Sequence, residues 1–279
     1  MLITRRGALV APLLLVSPLR ALAEELDRHS PPATPEISAL QAAEAEGRPQ
    51  LPPPAEVELP ILLYHHVVPA HAQGPLFVTP EGFEKQLQYL QDNGYRSVSF
   101  DDVADCLEFG VPLPERPVIL SFDDGWENQF EYAFPLLQKY GFIGTFYVVT
   151  NYLDHQNFMT LDQLREMLAA GMMIGSHTRN HPALPSLGTG QRLKDEVVNS
   201  KIWLEEQLGV PIDTFAYPYG SYTAAVVAAV KAAGYRTARS VDGGTRAALD
   251  DIDILPALLF SQYVNHYRAN VEQTADARR

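Results

Sequence analysis

The sequence predicts an α/β fold built on a parallel sheet, and three observations predict it. Short apolar runs alternate with helical stretches from Leu59 onwards. Glycines stand where the helices need a C-terminal stop, at Gly94, Gly141, Gly171, Gly209 and Gly234. Polar clusters fall at the C-terminal ends of the apolar runs. Strand–helix alternation of this kind builds a parallel sheet, open or closed into a barrel. In a barrel, residues at the C-terminal strand ends converge on one face, and that face carries the site.

In chain order, the candidate strands are Ile61–Tyr64, Arg96–Ser99, Val118–Phe122, Gly144–Val149, Met172–Ser176, Thr214–Tyr217 and Thr237–Arg239, with Ile252–Leu255 as a weaker last one. Between them lie helical patterns over Pro80–Asp92, Glu127–Tyr140, Leu161–Ala170, Leu193–Leu208 and Tyr222–Ala233. The 279 residues, 46% of them hydrophobic, are enough for one large core, and a single barrel of this length is ordinary. A formal net charge of −13 argues against nucleic acid and anionic membrane surfaces as partners. With Cys106 as the lone cysteine, an intrachain disulfide framework and a thiolate metal cage are both excluded.

Residues 1–23 read as an export signal. Thr4-Arg5-Arg6-Gly7 gives a twin-arginine positive start, an apolar stretch follows from Ala8 to Val16, and Ala21-Leu22-Ala23 has the form of a cleavage site. As a membrane span it is too short, and it is broken by Pro12, Pro18 and Arg20. Residues 24–58, rich in Pro, Ala and Glu, read as a linker with too little apolar surface to order itself. Residues 59–279 are expected to form one catalytic domain. The expected location is periplasmic or secreted.

Four strand ends carry unusual chemistry: Tyr64-His65-His66; Ser121-Phe122-Asp123-Asp124-Gly125, followed by Trp126; Gly175-Ser176-His177-Thr178-Arg179-Asn180-His181-Pro182; and Phe215-Ala216-Tyr217-Pro218-Tyr219-Gly220. Taken singly, each has an ordinary reading as a turn or a solvated pair. Together, Asp, His and His suit a divalent transition metal such as zinc, with a coordination position left for water. A spare carboxylate beside that water is where a hydrolase keeps its base. The aromatic turn at Tyr217-Pro218-Tyr219 is rich enough to stack on a sugar ring.

Asp123-Asp124, His177-x-x-x-His181 and Pro218-Tyr219 resemble the first three motifs of the polysaccharide deacetylases, carbohydrate esterase family 4, with Gly144-Thr145-Phe146-Tyr147-Val148 and Phe158-Met159-Thr160 in support. The resemblance runs from about Ile61 to Leu258 and implies a distorted (β/α)7-type barrel that removes acetyl groups from N-acetylated sugars. It implies Asp124, His177 and His181 as ligands of a divalent metal, zinc first, with cobalt or nickel as the other candidates. It implies Asp123 as the base for a metal-bound water nucleophile, and the backbone N–H of Tyr219 as an oxyanion donor, since Pro218 cannot donate. Tyr217, Pro218 and Trp126 are the further substrate contacts expected.

Two departures stand out. Phe215-Ala216 replaces the arginine usual near the start of the third motif, so Asp123 is expected to lack its usual charged neighbour. The late Leu-x-His is absent from Leu255-Pro256-Ala257-Leu258, yet the leaving amine still needs a proton. Tyr64-His65-His66 resembles an N-terminal Tyr-His segment of the biofilm poly-N-acetylglucosamine deacetylases, whose motifs are circularly permuted. This makes His65 the expected acid and His66 the fallback. The expected substrate is a β-linked N-acetylglucosamine polymer, of biofilm, peptidoglycan or chitin type, with envelope export machinery as a candidate partner. Two alternatives stand beside this reading: a non-catalytic carbohydrate-binding or scaffold protein, and a small cyclic-amide hydrolase.

Overall fold

The computed structural model describes residues 52–69 and 74–259; the expected signal and most of the expected linker lie outside the described residues. The strands are β1 (Glu56–Glu58), β2 (Ile61–Tyr64), β3 (His66–Val67), β4 (Phe77–Val78), β5 (Arg96–Ser97), β6 (Pro117–Phe122), β7 (Thr145–Val148), β8 (Met173–Ser176), β9 (Thr214–Ala216), β10 (Thr237–Arg239), β11 (Arg246–Ala248) and β12 (Leu258–Leu259). The helices are α1 (Pro80–Asp92), α2 (Phe100–Phe109), α3 (Phe134–Tyr140), α4 (Leu161–Ala169), α5 (Gln191–Leu208) and α6 (Ala224–Ala232).

Seven parallel strands run side by side in the order β10-β9-β8-β7-β6-β2-β12, and β5 pairs with the start of β6. Beyond β10, the Leu255 N–H donates to the Ala238 carbonyl at 2.8 Å and the Ser240 N–H to the Leu255 carbonyl at 2.9 Å. The segment leading into β12 therefore touches both edges of the curled sheet, giving the distorted (β/α)7-type barrel. Every residue of β6 is buried, as befits the centre of a sheet covered on both faces. Glu56–Glu58, within the stretch expected as linker, instead pair antiparallel with β11.

Local chemistry explains the helix boundaries. Thr79 and Thr223 cap α1 and α6, and full capping boxes form at Ser99/Asp102 for α2 and Thr160/Gln163 for α4. Gly141 and Gly209 end α3 and α5 in the left-handed conformation, where a side chain would be strained. The helix expected over Glu127–Tyr140 is split. Gln129–Ala133 forms a wide turn of π geometry, with the Phe134 N–H reaching back to the Gln129 carbonyl. Pro135 accounts for this, because it has no N–H to offer the preceding turn. α2 adds a helix to those the sequence pattern picks out. One strand expectation needs correction: Ile252–Leu255 is not a strand. Leu249–Ile254 forms a 3-10 turn, Leu255 alone bridges to β10, and β12 begins after Pro256, which cannot donate to a ladder.

Candidate active site

β2 and β6 are in register, with Tyr64 opposite Phe122, and the Asp123 N–H donates to the Tyr64 carbonyl at 3.0 Å. That pairing alone sets His65 beside Asp123 at two neighbouring strand ends. Their approach is fixed from the π turn: Gln129 Nε2 donates to the His65 carbonyl at 2.7 Å and to the Asp123 carbonyl at 2.5 Å. His65 Nε2 stands 4.0 Å from Asp123 Oδ2. His65 Nδ1 is buried and has no hydrogen-bond partner among the described residues.

Asp124, Thr178, His181 and Tyr219 all adopt positive φ, between 57° and 75°. Such conformations are costly for residues other than glycine, and they gather where the surroundings enforce a functional geometry. At the end of β8 the enforcing group is Glu196 of α5. Its carboxylate accepts from the Arg179 N–H, the Asn180 N–H and Asn180 Nδ2, at 2.7 to 3.0 Å. Thr178 Oγ1 accepts from the His181 N–H at 2.9 Å, closing the loop between the two histidines.

The result is a three-pronged donor set. Ligand atoms of Asp124, His177 and His181 lie within 4.8 Å of one another. Asp124 Oδ1 is 3.3 Å from His181 Nε2 and 3.6 Å from His177 Nε2, and the two Nε2 atoms are 3.2 Å apart. His177 Nδ1 lies 2.7 Å from the Ala216 carbonyl, which holds the proton on Nδ1 and turns the Nε2 lone pair towards the cluster. Burial pushes the His177 pKa down, against the opposing pull of Asp123 and Asp124. A neutral imidazole, a second imidazole and a carboxylate converging from one side fit a zinc-type ion with open coordination positions.

Asp123 sits beside this cluster, its Oδ2 3.8 Å from His177 Nε2. It does not lack a charged neighbour. Arg239, fully buried at the end of β10, donates from Nη2 to Asp123 Oδ1. The arginine absent from the β9 turn is thus supplied from the next strand, and it lies over the Tyr147 ring at 5.1 Å. Burial alone would raise the Asp123 carboxyl; the charges of Arg239, His177 and His65 and the Arg239 hydrogen bond outweigh burial and hold it below the usual carboxylate range. A lone arginine closing the otherwise uncharged strand Thr237-Ala238-Arg239 is the sequence signal for it.

The other expected residues divide. Tyr219 is 68% exposed and stands edge-on to His181, ring centroids 4.6 Å apart. Pro218 is buried beneath it. Tyr217 does not reach the surface: its hydroxyl donates to the Asp253 carbonyl at 2.8 Å, so it supports the turn from below and offers a ligand nothing. Trp126 is not an open stacking platform either, because His66 and Phe158 each lie 4.4 Å from its ring. Its Nε1–H donates to Asp124 Oδ2 at 2.9 Å. His66 stacks on Phe77, packs against Trp126 at a tilt of 40°, and its Nδ1 lies 3.2 Å from Asn128 Nδ2. Burial lowers its pKa, against the pull of Asp124.

Comparison with known proteins agrees with this geometry. A family model described as polysaccharide deacetylase matches residues 110–238. The solved structure of a candidate polysaccharide deacetylase, BA0330 from Bacillus anthracis, is 30% identical, with a TM-score of 0.67 over 79% of this chain and 69% of that one. A second candidate polysaccharide deacetylase, from Bacillus subtilis (strain 168), is 29% identical over 67% of this chain and 66% of its own length. The poly-β-1,6-N-acetyl-D-glucosamine N-deacetylase of Escherichia coli (strain K12) is 24% identical over 66% of this chain. The chain spans about a third, 34%, of that relative's length.

Proposed function

Because the chain belongs to the polysaccharide deacetylase family, we propose that it is a metal-dependent hydrolase that removes N-acetyl groups from a β-linked N-acetylglucosamine polymer, poly-β-1,6-N-acetylglucosamine first. The observation that carries this reading is the Asp124–His177–His181 donor set with the Arg239-held Asp123 carboxylate at its edge. When bound there, a divalent cation lowers the pKa of water and polarises an acyl oxygen.

The chain's own residues supply the rest. Asp123, ionised across the neutral range, accepts the proton of the attacking water. Arg239 keeps the acceptor oxygen aimed at the cluster by holding the other one. His65 Nε2, beside Asp123 but outside the donor set, delivers a proton to the departing sugar amine. The Tyr219 N–H, following a proline that has none, donates to the developing oxyanion, in a turn whose Tyr219 ring stands edge-on to His181. The exposed Tyr219 ring offers a face on which a sugar can stack. Acetate and a free amine leave.

The β-1,6 linkage rests on the activity for which the E. coli relative is named and on the His65-bearing segment at the N-terminal end of the barrel. The scaffold alternative leans on the missing arginine and the missing late histidine; Arg239 holds Asp123 in place of the first, and His65 beside Asp123 is the acid offered for the second. Export to the periplasm or beyond is consistent with such a substrate and with the Arg5-Arg6 leader; among the described residues no helix is long and apolar enough to cross a membrane. The test is free-amine release from β-1,6- and β-1,4-linked N-acetylglucosamine oligomers by zinc-loaded protein. Release from the β-1,6 series, abolished by chelator, is expected. Release confined to β-1,4 oligomers would move the substrate to chitin-type glycans, and none from either would reject the deacetylase reading.

A further inference from the structure

Trp126 has an indole with both faces covered and a single polar atom, and that atom is aimed at a member of the donor set. A half-buried tryptophan at the rim of a sugar site would ordinarily be read as a stacking surface. Here the rings on either side exclude that use. Phe158 stacks on the indole at 22°, and His66 packs against it at a tilt of 40°.

Each packing partner is tied to the backbone independently. Trp126 and Phe158 form an antiparallel bridge, flanked by the Glu127 N–H donating to the Asn157 carbonyl at 2.8 Å and the Met159 N–H to the Gly125 carbonyl at 2.9 Å. His66 is held by Phe77 at 4.6 Å and by Asn128, whose Oδ1 also accepts from the Val67 N–H at 2.9 Å. The indole therefore has little freedom to tilt, and its N–H direction is set before any ligand arrives.

We infer that the His66–Trp126–Phe158 stack is a positioning device for Asp124, in which the Trp126 N–H occupies Oδ2 and leaves Oδ1 alone to face His177 and His181. The geometry divides the carboxylate cleanly: Oδ2 takes the indole N–H at 2.9 Å, and Oδ1 is the oxygen near the imidazoles. Asp124 needs such a restraint, since its backbone is in the left-handed region at φ 75°. A hydrogen bond on the distal oxygen fixes carboxylate rotation and disfavours two-oxygen ligation. Single-oxygen ligation suits a small four-coordinate ion such as zinc, whereas larger cations gather more oxygen ligands. This also gives His66 a role in packing rather than proton transfer.

The inference rests on the donor set being a metal site, and the test separates the two. Zinc and manganese affinities of metal-stripped wild type and Trp126→Phe are measured by competition with a chromophoric chelator. Phenylalanine keeps a ring between His66 and Phe158 and removes only the N–H. Zinc affinity is expected to fall about 10–100-fold, the usual range for loss of a group that orients a ligand, and the zinc-to-manganese ratio to fall with it. Loosening of the fold alone would weaken both ions equally. Equal zinc affinity, or equal losses for both ions, overturns the inference while leaving the metal site intact. Failure of wild type to bind zinc at all rejects the site on which it rests. Should the variant fold poorly, wild type itself suffices. The indole N–H resonance of Trp126, told from that of Trp203 with Trp203→Phe, is expected to exchange slowly with solvent in the metal-free protein. Exchange at the rate of free indole overturns the inference.

Discussion

Arg239→Met removes the charge that holds Asp123 while keeping a long apolar side chain in the barrel. Both partners are buried, so the variant strands a carboxylate that has lost its cation. Breaking a buried pair from one side costs about 3–5 kcal/mol. With a urea dependence of about 2 kcal/mol per molar, the unfolding midpoint of metal-stripped protein should fall by roughly 1.5–2.5 M at pH 7. The sign of the pH dependence follows from the direction of the Asp123 shift. In the wild type the native pKa lies below the ordinary carboxylate value. The pair's contribution is therefore complete above that ordinary value and is lost only as pH falls through the lower native one. In the variant, burial acts with less opposition and pushes the carboxyl up, so its native state takes up a proton sooner. The deficit should thus be largest at neutral pH and should shrink towards about pH 4, where an ordinary aspartate protonates. Urea titrations of wild type, Arg239→Met, Asp123→Asn and the double variant at both pH values read this directly. The double variant should be more stable at pH 7 than Arg239→Met alone. A deficit under about 1 kcal/mol, well short of the range for a broken buried pair, would refute the reasoning, as would an equal deficit at both pH values or strictly additive variants.

Asp123→Asn should lose amine release and keep zinc at the wild-type level, because Asp123 is outside the donor set; zinc loss in inductively coupled plasma measurements would contradict that division. Gly175→Ala should destabilise by about 1–3 kcal/mol, the usual penalty for overpacking, since a Cβ there would meet the Tyr147 ring at 2.5 Å; an unchanged melting temperature would contradict the packing of β7 against β8. Chelation should abolish amine release reversibly, with zinc restoring it to the metal-stripped protein; persistent release after stripping would contradict the role assigned to Asp124, His177 and His181.

The sheet was legible because its strands are short, largely apolar runs alternating with helical patterns, and burial on both faces demands such runs. Pro117–Phe122 shows this directly: an apolar run that empties two carboxylates onto the barrel mouth. The convergence of Asp124, His177 and His181 was legible for the same reason, since strand ends were readable and strand ends converge. What escaped the sequence was partnership across strands. Arg239 stands 116 residues from Asp123 along the chain, and nothing local marks it as the acid's partner beyond its place at the end of an uncharged strand. Trp126 and Tyr217 could not be told from open aromatic platforms because aromatic residues beside a site look alike in sequence; their contacts are set by Phe158 and His66 for one and by the Asp253 carbonyl for the other. Ile252–Leu255 misled through apolar content, when the interleaved aspartates and Pro256 favour a turn. Glu196 left no readable mark, because an acid on a helix gives no hint that it accepts from backbone amides between two histidines.

The most direct test of the central claim compares amine release from β-1,6-linked N-acetylglucosamine oligomers by zinc-loaded wild type, His65→Ala and His66→Ala. His65 Nε2 lies 4.0 Å from the Asp123 carboxylate, and the His66 ring packs against Trp126. The account predicts zinc-dependent release by wild type, a loss of about 10²–10⁴-fold in His65→Ala, as expected for removing a general acid, and a smaller loss in His66→Ala that tracks its zinc affinity. Full activity in His65→Ala, or collapse in His66→Ala at undiminished zinc content, would contradict it.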